Sequence, residues 1–111
     1  MGETHELTRP LIEKLNQSGG LALRMNSGKV KVKGGYVQLH EEGTADILFF
    51  PRNPMCRGWY QPVWPVWIET KTGRTKPERV KKQAEFRAKV EALGHRYILA
   101  RTMDEGLEAL R

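Results

Sequence analysis

Two short apolar runs, Ala45-Asp46-Ile47-Leu48-Phe49-Phe50 and Val66-Trp67-Ile68-Glu69-Thr70-Lys71, constrain this chain more than anything else in it. Both are dense in the β-branched and aromatic residues that strands favour. Turn-forming residues bracket them: Gly43-Thr44 before the first, Pro51 after it, and Pro65 before the second. Runs this apolar read as buried strands, yet each carries an acid. An ionised carboxylate inside a sheet is tolerable only beside a cation or a set of donors. Residues two apart on a strand share a face. Glu69 and Lys71 therefore stand side by side, with Thr70 turned away.

The rest of the chain supplies a frame for these strands. Leu7, Leu11, Ile12 and Leu15 recur at helical spacing and Gly19-Gly20 follows, which predicts a first helix within residues 5–18. Pro10 suits a first helical turn, so the helix is expected to begin near Thr8, with Glu6 just before it. Strands are predicted at Leu21–Met25 and Lys29–Lys33, around the turn signal Asn26-Ser27-Gly28. A further strand is predicted at Tyr36–His40. Residues 51–65 hold four of the six prolines with Trp59, Tyr60 and Trp64, and read as a loop. Thr75-Lys76-Pro77-Glu78 reads as a capping box with proline in the first turn, opening a helix that runs to Leu93. A strand over His95–Arg101 and a short helix over Met103–Leu110 close the chain. The pattern implies an α/β fold, a central mixed sheet flanked by helices.

A chain of 111 residues is long enough for one core and too short for two, so a single domain over 1–111 is expected. The 39% apolar and 29% charged fractions are those of a soluble globular protein. No run has the length of a membrane span, and the N-terminus lacks the layout of a signal peptide, which together predict a cytoplasmic location and no membrane partner. A lone Cys56 fits, having no internal disulfide partner. The net charge is +6, and the excess is clustered. Lys71, Arg74, Lys76, Arg79, Lys81, Lys82, Arg87 and Lys89 face only Glu78 and Glu85 within their stretch, and Arg24, Lys29, Lys31 and Lys33 form a second group. Any one of these lysines is ordinarily a solvated surface charge; two clusters together predict a polyanionic partner with a phosphate backbone.

Asp46, Glu69 and Lys71 carry the chemistry. If their strands are neighbours, two carboxylates could hold a hard cation such as Mg²⁺ with the backbone carbonyl of Thr70 as a further oxygen. Such an ion would neutralise charge on a phosphodiester and activate water, with Lys71 orienting that water and stabilising the transition state. The competing reading is a structural one, in which the buried Asp and Glu are satisfied by hydrogen bonds or by Lys71. Gln83 adds to the first reading. It shares a helical stripe with Phe86, Val90 and Leu93, and so points inward toward the strand ends. Periodicity alone leaves open a glutamine satisfied by backbone. Other chemistries lack support: His5, His40, His95 and Cys56 share no metal-ligand spacing, and no serine has a histidine near it. Neither Gly-Gly pair has the layout of a phosphate loop. Trp59, Tyr60 and Trp64 suit packing of a loop or a dimer contact better than base stacking.

With these residues in place, the chain resembles the virus-type replication-repair nuclease (VRR-NUC) family of the PD-(D/E)xK superfamily. The likeness runs over nearly the whole chain: Glu6, Arg24-Met25-Asn26-Ser27-Gly28, Gly43-Thr44-Ala45-Asp46, Trp67-Ile68-Glu69-Thr70-Lys71, Gln83, the strand from Gly94 to Ala100 and the acidic closing helix. The resemblance implies a restriction-endonuclease-like core and a Mg²⁺- or Mn²⁺-dependent DNA endonuclease, structure-selective on branched DNA in the manner of Holliday-junction resolvases. It would act in phage or host replication, repair or recombination, inside a bacterial host cell if phage-encoded. Asp46 and Glu69 are implied as metal ligands, Lys71 as the catalytic lysine, Gln83 as the helix glutamine, and Glu6 as a candidate further acid at the metal. Arg24, Ser27, Lys29, Lys31, Lys33, Arg74, Lys76, Arg79 and Lys82 are the implied DNA-contacting set. Small members tend to be homodimers, and a two-fold pair of sites suits a symmetric branched substrate. Position 45 departs from the family, being alanine where proline is usual, and the 51–65 insertion belongs to this sequence. The alternative function is a DNA-binding or assembly module that keeps the fold without turnover.

Overall fold

A computed structural model describes residues 4–25, 29–38, 43–52, 55–56, 59–60, 64–71, 73 and 76–111; at 4–6, 29–31, 36–38, 55–56 and 59–60 the description covers the backbone. The elements follow in the order α1 (Thr4–Gln17), β1 (Leu21–Arg24), β2 (Lys29–Val32), β3 (Gly35–Gln38), β4 (Ile47–Phe50), β5 (Met55–Cys56), β6 (Trp59–Tyr60), β7 (Val66–Thr70), α2 (Pro77–Ala92), β8 (Arg96–Ala100) and α3 (Met103–Gly106), with a 3₁₀ turn at Leu107–Leu110. The architecture is mixed α/β: a four-stranded sheet in the order β1-β4-β7-β8, flanked by helices. β1 pairs with β4 and β4 with β7 antiparallel, whereas β7 and β8 are parallel. Parallel neighbours need a crossover rather than a tight turn, and α2 provides it.

α1 starts at Thr4 and not near Thr8, and Pro10 lies inside it. Proline lacks the N–H that would bond the carbonyl four residues back, a loss of roughly 3 kcal/mol in a free helix interior. The packing of Leu7, Leu11 and Leu15 against the sheet offsets it: Leu11 and Leu15 are 0% exposed. They join Ala22, Ile47, Phe49, Val66, Ile68, Ala100 and Ala109 in the main core, between the sheet and the α1–α3 side. A smaller cluster on the other face holds Ala45, Val90 and Tyr97, with Trp67, Phe86 and Leu99 against it.

α2 opens one residue later than the capping box implies. Its N-cap is Lys76, which makes no side-chain capping bond, and Pro77 is the first helical residue; Thr75 lies outside the described residues. Leu93, expected on the buried stripe, caps the other end and is 75% exposed, the helix having ended at Ala92. β2 and β3 form a hairpin of their own, Val32 paired with Gly35, and do not join the main sheet. Gly34 turns it at φ 92°, a left-handed conformation that glycine adopts without strain. The stretch expected as loop over 51–65 carries a second small antiparallel pair, Met55 with Tyr60 and Cys56 with Trp59. Among the described residues no helix is long and apolar enough to cross a membrane.

Candidate active site

The pairing of β4 with β7 sets Ile47 against Ile68. One residue further, this antiparallel register brings Asp46 across from Glu69, so two strand ends deliver two carboxylates to one end of the sheet. Asp46 sits at a bend just before β4, its carbonyl accepting from the Met25 N–H at 2.7 Å. That bond carries the β1 edge up to the site. β8 ends beside it, where the Lys71 N–H donates to the Ala100 carbonyl at 2.9 Å.

Glu69 is 3% exposed and belongs to the α2 face. Gln83, 7% exposed on the second turn of α2, donates its amide N–H to Glu69 Oε2 at 2.7 Å. Its amide oxygen accepts from Lys71 Nζ at 3.2 Å. The two partners fix which way the amide points, since the ammonium can only donate and a carboxylate oxygen accepts. Lys71 thus reaches Glu69 through Gln83. Among the described residues no ion pair joins Lys71 to Asp46 or Glu69, contrary to a simple structural salt bridge. The other oxygen of Glu69, Oε1, is buried and has no hydrogen-bond partner.

Burial pushes the Glu69 carboxyl up to about 8. The Asp46 charge pushes in the same direction, while Arg79, Lys71 and the Asp46 backbone N–H pull the other way without cancelling it. The burial has a visible source. Trp67, two residues back on the same face, meets Phe86 edge-on with ring centroids 5.0 Å apart, and Leu99 is the β8 partner of Glu69. Tyr97 completes this wall beneath Phe86, with Arg87 5.1 Å above its ring. Its hydroxyl is raised, first by burial and then by the Glu69 charge.

Asp46 is held differently. Its Oδ2 accepts two bonds from Thr70, the backbone N–H at 3.0 Å and the hydroxyl at 2.7 Å. Thr70 points to the α1 face, as strand alternation requires, and its hydroxyl meets Thr8 Oγ1 at 2.6 Å. Gly43 seats this approach to β4 against α2. Its φ is 92°, and a Cβ there would lie 2.5 Å from the Lys82 carbonyl oxygen, one residue before Gln83. Only glycine fits so close an approach.

Of the residues singled out in the sequence, Asp46, Glu69, Lys71 and Gln83 come together here. Arg24 ends β1, next to the Met25 link to Asp46. Lys76 at the N-cap and Arg79 and Lys82 on the first turns of α2 are exposed, at the end of the sheet that carries the site. Lys33 is exposed in the β2–β3 turn, and the backbone of Lys29 and Lys31 lies on β2, in the separate hairpin. Ser27 and Arg74 lie outside the described residues. Glu6 is in α1, its side chain outside the description, so its reach to the site is unassigned. Among the described residues no group of three or more His, Cys, Asp or Glu side chains is disposed to hold a metal. Trp64 is 64% exposed and rests against His95, at the far end of β7. Sequence reasoning missed Thr8 and the Thr70 hydroxyl. A signal for Thr8 existed: it shares a helical stripe with Leu11, Ile12 and Leu15, the same pattern that singled out Gln83.

The chain is therefore a mixed α/β protein in which one end of the sheet carries two carboxylates and a lysine, with a bridging glutamine from α2. Comparisons with protein-family models, with curated proteins and with solved structures gave no match to it.

Proposed function

We propose that the protein is a metal-dependent DNA endonuclease with a PD-(D/E)xK core of the VRR-NUC type. One observation carries this reading: Glu69 Oε1 is buried without a partner beside a second carboxylate. A purely structural glutamate would have both oxygens satisfied. A hard divalent cation fits what is left, since it takes oxygen ligands and removes the mutual repulsion of the two acids. Asp46, Glu69 and the Thr70 carbonyl would hold it. Bound Mg²⁺ or Mn²⁺ would supply Lewis-acid neutralisation of a phosphodiester and an acidified water.

The side chains supply the rest. Gln83 holds the Lys71 ammonium in place from the helix side, where it orients the attacking water and offsets charge gathering on the phosphoryl oxygens. Gln83 also keeps Glu69 Oε2 occupied, so that the two oxygens of that carboxylate have separate tasks. Lys76, Arg79 and Lys82, with Arg24 across the sheet end, offer cations to a nucleic-acid backbone approaching the same end. Among the described residues no base-reading element stands out, which favours recognition of DNA shape over sequence.

The test is cleavage of a labelled four-way junction beside a linear duplex of matching sequence, with Mg²⁺, Mn²⁺ or EDTA, for wild type and Lys71→Ala. Symmetric, metal-dependent cuts at the junction, lost in the variant, are the expected result. Cutting of both substrates keeps the nuclease and discards selectivity for branched DNA. Salt-sensitive binding without cutting in any metal sinks the enzyme and leaves a DNA-binding module.

A further inference from the structure

We propose that Thr8, on α1, is a positioning residue for the metal-binding face of Asp46, acting through a directed hydrogen-bond chain that runs Thr8 to Thr70 to Asp46. The inference rests on the nuclease reading of the site and deepens it by assigning a role to a helix on the opposite face of the sheet.

The direction of the chain follows from counting hydrogens. Thr70 has one hydroxyl hydrogen, and it is committed to Asp46 Oδ2 at 2.7 Å. An ionised carboxylate can only accept. The 2.6 Å contact between Thr70 Oγ1 and Thr8 Oγ1 must then be a donation by Thr8. Thr8 is 0% exposed and Thr70 is 2% exposed, so no water takes either place. Each hydroxyl in the chain points in one direction only.

This chain does something a packing contact would not. Thr70 is β-branched and restricted at χ1, and the Thr8 donor selects the rotamer in which the Thr70 hydroxyl faces Asp46. Together with the Thr70 N–H, that hydroxyl places two donors on a single oxygen, Oδ2. Two donors on one oxygen fix the carboxylate plane and leave Oδ1 as the oxygen outside the Thr70 bonds. Groups behind a metal ligand act in this manner, and their loss typically weakens metal binding ~10–100-fold. The chain also ties the site to the core: Thr8 sits between Leu7 and Leu11, and the two threonines are 62 residues apart.

The experiment is Mn²⁺ titration by isothermal calorimetry on wild type, Thr8→Val, Thr70→Val, Thr8→Ser and Asp46→Asn, each checked for folding by circular dichroism. Single-turnover cleavage and DNA affinity are measured alongside. Valine keeps the threonine shape and removes the hydroxyl. Thr8→Val is expected to weaken Mn²⁺ binding by ~10-fold and slow cleavage, with DNA affinity unchanged. Thr70→Val breaks the chain at its second link and is expected to do the same or more. Thr8→Ser, which retains the donor, restores binding. Wild-type Mn²⁺ affinity in both folded valine variants overturns the role of the chain. Equal weakening in Thr8→Val and Thr8→Ser overturns it too, because it traces the effect to packing. If wild type binds no Mn²⁺, or Asp46→Asn binds it as well as wild type, the metal reading itself has failed, which is a different result from either.

Discussion

On the α1 side of the sheet Leu11, Leu15, Ile47, Phe49 and Ile68 are sealed at 0% exposure. On the α2 side the same strands carry Leu48, Trp67 and Glu69, and the helix above them contributes a buried glutamine. Neighbouring residues thus serve opposite ends: Ile68 and Glu69 are adjacent in the chain and face different layers. One face is close-packed and stabilises the fold. The other gives up apolar packing to hold a carboxylate that burial and a second acid both destabilise. The apolar core and the buried Glu69–Gln83 pair are separated by the alternation of a strand, not by distance along the chain.

That separation can be broken experimentally, starting with the deepest side chain. Phe49→Ala should cost ~3–5 kcal/mol in urea unfolding, whereas Leu48→Ala, one residue away on the other face, should cost about 1 kcal/mol. Equal losses would mean that the two faces share the work of folding. Lys71→Ala should lower single-turnover cleavage by ~10²–10³-fold, as removal of one well-placed transition-state donor does, and leave the urea midpoint close to wild type. A large drop in stability instead would make Lys71 a structural group.

The pH response sharpens the same contrast. Glu69 keeps its proton up to about 8 in the folded protein, against an ordinary 4.5 when unfolded. Between those values the folded state binds more protons than the unfolded state, so stability falls as pH rises. In EDTA, wild type should lose roughly 3 kcal/mol from pH 5 to pH 8, at ~1.4 kcal/mol per pH unit across most of that window. Glu69→Gln should flatten the curve and be the more stable protein at pH 8, and Mg²⁺ should recover stability for wild type at pH 8 but not for the variant. A flat wild-type curve would show that Glu69 is ionised without difficulty. The smallest effect belongs to the exposed end of α2. Replacing Arg79 and Lys82 together by alanine should reduce the salt dependence of DNA binding by ~0.9 in log–log slope for each phosphate that is no longer neutralised. An unchanged slope would place the DNA elsewhere on the molecule.

Much of this arrangement is legible in sequence because it obeys short-range periodicities. Strand alternation places Glu69 and Lys71 together, and the helical wheel turns Gln83 inward. What sequence hides depends on partners far away in the chain. Pro10 argues for a late helix start, since proline penalises a free helix, but Leu11 and Leu15 gain enough by burial to carry it inside one. Leu93 fits the wheel and is still exposed, because the helix ends at Ala92 and the wheel does not continue to it. The strict alternation of Lys29 to Lys33 marks a strand without saying which sheet it joins. Alternation turns Thr70 away from Glu69, as the structure has it, yet its hydroxyl serves the site, since Asp46 reaches around the strand end to meet it. The geometry at Asp46 involves residues 8, 46 and 70 at once, and no local pattern links them.

The antiparallel pairing of β4 and β7 has a practical consequence as well. β4 starts at the site and ends at Phe50, while β7 starts at Val66 and ends at the site. The strand ends joined by residues 51–65, Phe50 and Val66, therefore lie at the end of the sheet remote from Asp46 and Glu69. Chain added to such a connection raises the closure cost slowly, by about 0.6 kcal/mol for each doubling of its length. The Phe50 end of β4 and the Val66 end of β7 are therefore natural attachment points: a fluorophore or affinity tag joined there sits at the other end of the sheet from Asp46 and Glu69.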